Sequence, residues 1–267
     1  MNMQGRILSI AGSDPSGGAG IQADIKTITA LGGYAMSAIT ALTVQDTKQV
    51  YDVIPSSPEH VTRQIRVTLD DIGADAIKIG MLANMEILSA VTQTLAHYPD
   101  IPIILDPIIL SSSGHALIEE TALDYLKNEL LPLCHLITPN IPEACYLTGL
   151  EDIHNIETMH HAGELLLSYH PTAVLITGGH LALNDVCDLL IMEEQQSMFS
   201  SPRIESEHTH GTGCTLASAI ATGLAQGLSI TRSVRRAHDY VHLAIKHAPQ
   251  LGQGNGPLNH HVSLSDA

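Results

Sequence analysis

Two glycine-rich segments, with a few polar residues between them, hold the chemistry this sequence could perform. The first runs Gly12-Ser13-Asp14-Pro15-Ser16-Gly17-Gly18-Ala19-Gly20 and separates an apolar run from a helical pattern. It lacks the Gly-Lys-Ser/Thr end of a P-loop and the Gly-x-Gly-x-x-Gly of a dinucleotide fold. Two readings stand side by side: a tight structural turn, or a turn whose backbone N–H groups approach a ligand closely. The second segment, residues 208–215, reads His-Thr-His-Gly-Thr-Gly-Cys-Thr and opens a helix with Leu216, Ile220 and Leu224 on one face. Gly211, Thr212, Gly213 and Cys214 place successive N–H groups at the positive end of that helix, where they can converge on an oxyanion. In the first turn of a helix a thiol such as Cys214 is expected to have a lowered pKa. The alternative there is a small buried cysteine at a helix start.

Two further spots carry carboxylates. Asn140-Ile141-Pro142-Glu143 follows a short apolar run, and residues three apart on a helical turn share a face. The pair suits Mg²⁺ held beside phosphates, or it simply caps a helix. Asp106-Pro107 ends a buried strand, where a carboxylate is costly unless it serves a cation or donors. The 16 histidines are scattered, and His160-His161 and His260-His261 lack metal-ligand spacing with carboxylates, so most read as solvated surface. The eight methionines read as core filling. None of the four cysteines forms a Cys-x-x-Cys pair, which disfavours zinc and redox motifs and points to free thiols in a reducing cytoplasm.

These residues need elements to hold them. Short apolar runs over 6–13, 34–44, 50–55, 76–80, 101–106, 136–138, 173–177, 187–192 and 196–200 read as strands, the last two as a hairpin-like pair. Helical patterns cover 21–31, 60–72, 86–96, 214–226 and 231–246. Alternating strands and helices imply an α/β fold with a mostly parallel central sheet and helices on both faces. The polar motifs fall just after strands, at the carboxyl ends where such sheets bind ligands. No linker or repeat interrupts the chain, so one domain over residues 1–267 is expected.

Composition narrows the function classes. The chain has 267 residues, 44% hydrophobic and 15% charged, enough for a sizeable core covered on both sides. With 28 acidic and 12 basic side chains, its formal charge is −16, which repels a phosphate backbone. No Trp and a single Phe leave no stacking platform for single strands, so nucleic acid is excluded as a partner. No apolar run reaches transmembrane length and no signal peptide precedes the first strand, so a membrane is excluded too.

Taken in order, "IAGSDPSGGAGIQADIKT", "ALTVQDT", "KIGML", "LDPI", "LITPNIPEA", "TGGH", "HTHGTGCTLASAIA" and "GPLNHH" resemble the hydroxymethylpyrimidine/phosphomethylpyrimidine kinases nearly end to end. The resemblance implies a ribokinase-like fold, ATP and Mg²⁺, and two successive phosphorylations, of a pyrimidine alcohol and then of its monophosphate, in thiamin synthesis. Carried onto this sequence, it puts Gly12, Asp24, Gln45 and Met81 at the pyrimidine, Asp106 and Glu143 at Mg²⁺, and Thr177, Gly178, Gly179 and His180 at the nucleotide. It makes residues 211–214 the anion hole, with Cys214 as acceptor or orienter of the hydroxyl proton. Two departures stand out: Thr177 and Ser112 replace lysines of the family, with His115 the nearest cationic substitute beside Ser112. The second phosphorylation is expected to be the weaker step for that reason. The expected partners are the pyrimidine, ATP and a second copy of the chain. The rival readings are a pyridoxal kinase of the same fold and a pyrimidine-binding protein without catalysis.

Overall fold

The computed structural model of the chain describes residues 4–109, 120–181 and 184–264. Ser112 and His115 lie outside them. The first half runs β1 (Arg6–Ser13), α1 (Gly20–Ala30), β2 (Tyr34–Gln45), β3 (Val50–Pro55), α2 (Pro58–Asp71), β4 (Ala76–Ile79), α3 (Met85–Leu95) and β5 (Ile103–Leu105). The second runs α4 (Glu120–Tyr125), β6 (Leu136–Ile137), α5 (Ile141–Thr148), α6 (Ile156–Leu167), β7 (Ala173–Ile176), β8 (Asp185–Met192), β9 (Gln196–Pro202), α7 (Thr212–Ala225) and α8 (Ile230–Lys246).

The strands form one sheet in the order β3-β2-β1-β4-β5-β6-β7-β8-β9. The pairs from β2 through β7 are parallel, and β3, β8 and β9 add antiparallel edges. Buried neighbours along each strand point to opposite faces, as the two-residue period of a strand requires. Leu8, Ile77, Ile103, Ile137 and Val174 meet the helices of one face, among them Val61 and Ile65 of α2, Val91 of α3 and Met159 of α6. Ile7, Ala76, Ile104, Leu136 and Leu175 meet Ile28 of α1, Ile220 of α7 and Tyr240 of α8 on the other. Continuous apolar strands are what a doubly covered parallel sheet needs.

The expected strands and helices are all present. Helices α4, α5 and α6 add to them on one face. In α6, Gly163 interrupts a good helical pattern, and the reason is close packing: a Cβ there would overlap the Ile191 side chain of β8. Asn155 caps that helix by accepting from the Thr158 N–H at 2.8 Å.

Candidate active site

The two glycine segments are brought together at the carboxyl end of β1. Asp14 and His210, 196 positions apart, meet at 2.8 Å. Gly211 has φ +84°, and a Cβ on it would overlap the carbonyl oxygen of Gly18. Only glycine allows that backbone approach and that left-handed geometry together. The Asp14 carboxylate accepts from the Ser16 N–H at 2.8 Å, the Ser16 hydroxyl at 2.9 Å and the Ala19 N–H at 2.8 Å, which shapes the first turn. Partial burial would raise this carboxyl, but the bonds from His210, Ser16 and Ala19 outweigh it and hold it at about 2. His210 Nε2 also lies 3.3 Å from the Gln45 amide nitrogen, so Asp14, His210 and Gln45 form one polar edge. Gly12 and Met81 are neighbours: a Cβ on Gly12 would come within 2.5 Å of the Met81 methyl. Met81 in turn lines a small apolar cavity of about 230 Å³ with Val53, Pro107 and Ile108.

Beneath the 211–214 turn lies a charged floor. Lys78, in the middle of β4, is fully buried, and its ammonium sits 3.0 and 3.1 Å from the two carboxylate oxygens of Asp24 on α1. The Ser9 and Ser218 hydroxyls donate to the same carboxylate at 2.6 and 2.7 Å. Burial pulls the Lys78 ammonium down, yet Asp24, Cys214 and Asp106 around it hold it above the ordinary lysine range. Asp106 follows β5 and points at α7: a Cβ on Gly213 would stand 3.2 Å from its Oδ1. Its Oδ2 is buried without a partner among the described residues. Burial raises the Asp106 carboxyl, Lys78 opposes, and the Cys214 thiol donates to it. Burial likewise pushes Cys214 up to about 12, with Lys78 opposing and the two carboxylates adding to the rise. The expected lowering at the helix start is therefore reversed: desolvation and two nearby anions outweigh the first-turn dipole.

Above the floor opens a cleft of about 720 Å³ along the ends of β5 to β9, bordered by Asp106, Glu143, Thr177, His180, Arg203 and Gly213. Asn140 and Glu143 cap α5 reciprocally, each bond 2.9 Å, while Glu143 still borders the cleft. Burial first, then Asp106, pushes Glu143 up to about 8 against the Asn140 and Ile109 N–H groups. The helix-capping reading of that tetrad therefore holds. The amide of Asn140 is taken up by the cap. Arg203 donates to the carbonyls of Gly179 at 2.9 Å and Leu181 at 2.6 Å, which fixes the turn after β7. At the far wall, Asp188 accepts from the Gly178 N–H at 2.9 Å and meets His238 Nδ1 at 2.8 Å.

Most of the expected site residues come together here. Gly12, Gln45 and Met81 sit at the β1 end, Thr177, Gly178, Gly179 and His180 at the β7 end, and Asp106, Glu143 and residues 211–214 between them. Asp24 is the exception. It is fully buried behind β1, closed in by Lys78, Ser9 and Ser218, and borders neither cavity. Lys78, Arg203 and His238 were not singled out from the sequence. For Lys78 the signal was a lone charge inside the apolar strand Ala76–Ile79.

A mostly parallel α/β sheet, a glycine-rich turn at a helix start and a wide cleft across the strand ends define a small-molecule kinase of the ribokinase-like fold. The pyridoxal kinase of Bacillus subtilis, solved as an ADP complex, superposes with a TM-score of 0.91 at 32% identity, covering 96% of this chain and 97% of that one. The sequence profile of the phosphomethylpyrimidine kinases matches residues 14–259. The hydroxymethylpyrimidine/phosphomethylpyrimidine kinase of Streptomyces coelicolor is 42% identical over 260 residues, 97% of this chain and 96% of that one. A bifunctional thiamine biosynthesis protein of Geobacter sulfurreducens is 44% identical over 98% of this chain, which spans 54% of that relative's length. The chain belongs to the phosphomethylpyrimidine kinase family and is a phosphotransferase.

Proposed function

We propose that the chain, acting as one domain over residues 1–267, transfers the γ-phosphoryl group of ATP to the hydroxymethyl of 4-amino-5-hydroxymethyl-2-methylpyrimidine, and more slowly to its monophosphate, in thiamin synthesis. The observation that carries this reading is the docking of the two glycine segments. It brings His210, next to residues 211–214, against Asp14 and Gln45, while Gly211, Thr212 and Gly213 border the cleft. Gln45 offers donor and acceptor side by side, matching an aminopyrimidine edge. The ATP phosphates lie along the cleft past Thr177 to the first-turn N–H groups of α7, which a helix leaves without intrahelical partners.

Mg²⁺ fits the donor set. The partnerless Asp106 Oδ2 and the carboxylate of Glu143 are hard oxygen donors bordering the cleft, the kind that would hold Mg²⁺. No group of three or more His, Cys, Asp or Glu among the described residues could hold a metal ion alone. Bound there, Mg²⁺ supplies charge neutralisation for the phosphates. Residues 211–214 hold the transferring oxygens, and Gln45 holds the ring so that the hydroxyl lines up with them. With its thiol proton on Sγ and directed to Asp106, Cys214 orients the site and is no strong base. A loose transition state requires little early proton removal from an alcohol.

Pyridoxal is the second reading, favoured by the high superposition on a pyridoxal kinase. An ATP-coupled assay comparing the pyrimidine alcohol, its monophosphate and pyridoxal decides. The alcohol is expected to give the highest kcat/KM, and a higher value for pyridoxal overturns the assignment. Four free cysteines support a reducing cytoplasm. The exposed Leu42, Val44, Val50, Tyr51 and Ile54 on β2 and β3 support a homodimer through that edge.

A further inference from the structure

Beyond α8 the chain returns to the site as an irregular strap, residues 252–257, and touches two of its loops. At one end, the Thr47 hydroxyl oxygen accepts from the N–H groups of Gln253 at 3.1 Å and Gly254 at 3.2 Å. Gly252 and Gly254 approach so closely that a Cβ on either would overlap Thr47. Thr47 stands two residues after Gln45, in the turn from β2 to β3. At the other end, Asn255 Oδ1 accepts from the Thr209 N–H at 2.9 Å and the Thr209 hydroxyl at 3.3 Å. The Gly256 carbonyl accepts from the His210 N–H at 3.1 Å. A backbone N–H can only donate, so the oxygen of the Asn255 amide faces Thr209.

Thr209 passes the constraint on, because its carbonyl accepts from the Thr212 hydroxyl at 2.7 Å. The 211–214 turn needs such support. Gly211 stands at the N-cap of α7, and no side-chain hydrogen bond caps that helix, although helices commonly fix their first turn with one. Two glycines in four residues also leave the backbone many conformations. Asn255 borders the cleft together with Thr209 and Gly211.

We infer that Asn255 is a positioning residue for phosphoryl transfer: through Thr209 it sets the 211–214 turn, and through the strap it fixes that turn against the Gln45 loop. The inference rests on the kinase reading of the site. In-line transfer requires the acceptor hydroxyl and the transferring phosphoryl group to be held in one line, and an error of about 1 Å costs roughly 10²-fold in rate. The strap sets that alignment and leaves each substrate's own contacts in place, so its loss falls on kcat rather than on KM.

Steady-state kinetics with the pyrimidine alcohol and ATP test this, with melting temperature followed in parallel. Asn255→Ala is expected to lower kcat by about 10–10²-fold, with both KM values within about threefold of wild type. Asn255→Asp keeps an acceptor for the Thr209 N–H and is expected to recover most of kcat, while its charge raises the KM for ATP. Thr47→Val removes the acceptor at the distant end of the strap and is expected to cost severalfold in kcat. Combined with Asn255→Ala it is expected to add little, because both cut one brace. Wild-type kcat in a folded Asn255→Ala overturns the inference. Equal kcat losses in the Ala and Asp variants, a loss confined to KM, or fully multiplicative losses in the double variant overturn it too. If Asn255→Ala does not fold, Thr47→Val decides alone: a lower kcat at constant KM supports the inference, and a wild-type kcat overturns it. If wild type phosphorylates pyridoxal but not the alcohol, the pyrimidine assignment falls, and the same variants run on pyridoxal test the strap. A wild type inactive on both overturns the kinase reading and the inference together.

Discussion

Two regions beside the cleft bury charge in different ways. Behind β1, Lys78 and Asp24 form a fully enclosed ion pair, with two hydroxyls completing the carboxylate's shell. Past β7, Asp188 is matched by an imidazole, and Thr177 adds no charge on that side of the cleft. A closed pair fixes a field permanently, because its members have nowhere to move. An imidazole–carboxylate pair fixes an orientation instead. The β1–β4 side is therefore built on a fixed ion pair, the β7–β9 side on an oriented hydrogen bond.

The comparison breaks most severely at Lys78. Lys78→Met leaves Asp24 buried without its counter-charge and is expected to lower stability by about 3–5 kcal/mol in urea denaturation. The double variant Lys78→Met with Asp24→Asn removes both charges and is expected to fold far better, yet to stay poorly active because Asp106 and Cys214 lose the field of the ammonium. Full activity in a folded double variant would make the pair a structural strut only.

Next comes the anion turn. Gly213→Ala pushes against Asp106 and is expected to lower kcat by about 10²-fold, the range for losing an oxyanion donor. Cys214→Ala keeps every N–H group and is expected to cost about tenfold, well short of the ~10²–10⁴ for loss of a general base. Steady-state kinetics on both variants separates them; a larger loss in Cys214→Ala would return the base role to the thiol.

A milder effect is expected at Asp14. Its folded pKa, about 2, is below the ordinary aspartate value of 3.8, so its stabilisation is complete above pH 4 and is lost as pH falls through 2. Asp14→Asn should remove on the order of 2 kcal/mol at neutral pH and flatten the acid limb of a Tm-against-pH curve. The smallest shift is expected from Thr177→Lys, which puts a mobile cation at the nucleotide end. It should raise kcat/KM for the monophosphate severalfold more than for the alcohol, since only the monophosphate brings added negative charge to the site. Equal gains on both substrates would remove Thr177 as the reason for a weak second step.

The sheet was legible because its strands are continuous apolar runs, and the ligand end followed from polar motifs placed just after them. The stretch from α4 to α6 was less so: Gly163 weakens the helical pattern, and its packing reason lies on β8, far away in sequence. Within the site, glycines and carboxylates were legible because their chemistry is local. Asp24 was not, because its role depends on Lys78 lying opposite it, 54 positions further on. The direction of the Cys214 shift depends on burial and on two distant carboxylates. His238, one of many scattered histidines, is distinguished only by its burial against Asp188.

The meeting of Gly18 with Gly211 also bears on how the enzyme comes into being. As the chain leaves the ribosome, all nine strands of the described residues are present once Pro202 has emerged, before α7 and α8 exist. The face formed by Ile7, Ala76, Ile104 and Leu175 is then covered by α1 alone, since its other partners belong to α7 and α8. A nascent chain at that stage holds a nearly complete sheet with half its apolar surface open to water, the kind of species that aggregates or recruits chaperones. Closure of the first glycine turn over the last long helices is a contact of very high sequence separation and forms late. Closure of the site therefore waits for α7 and α8, and a chain truncated before residue 208 would expose its apolar face without ever acquiring the 211–214 turn.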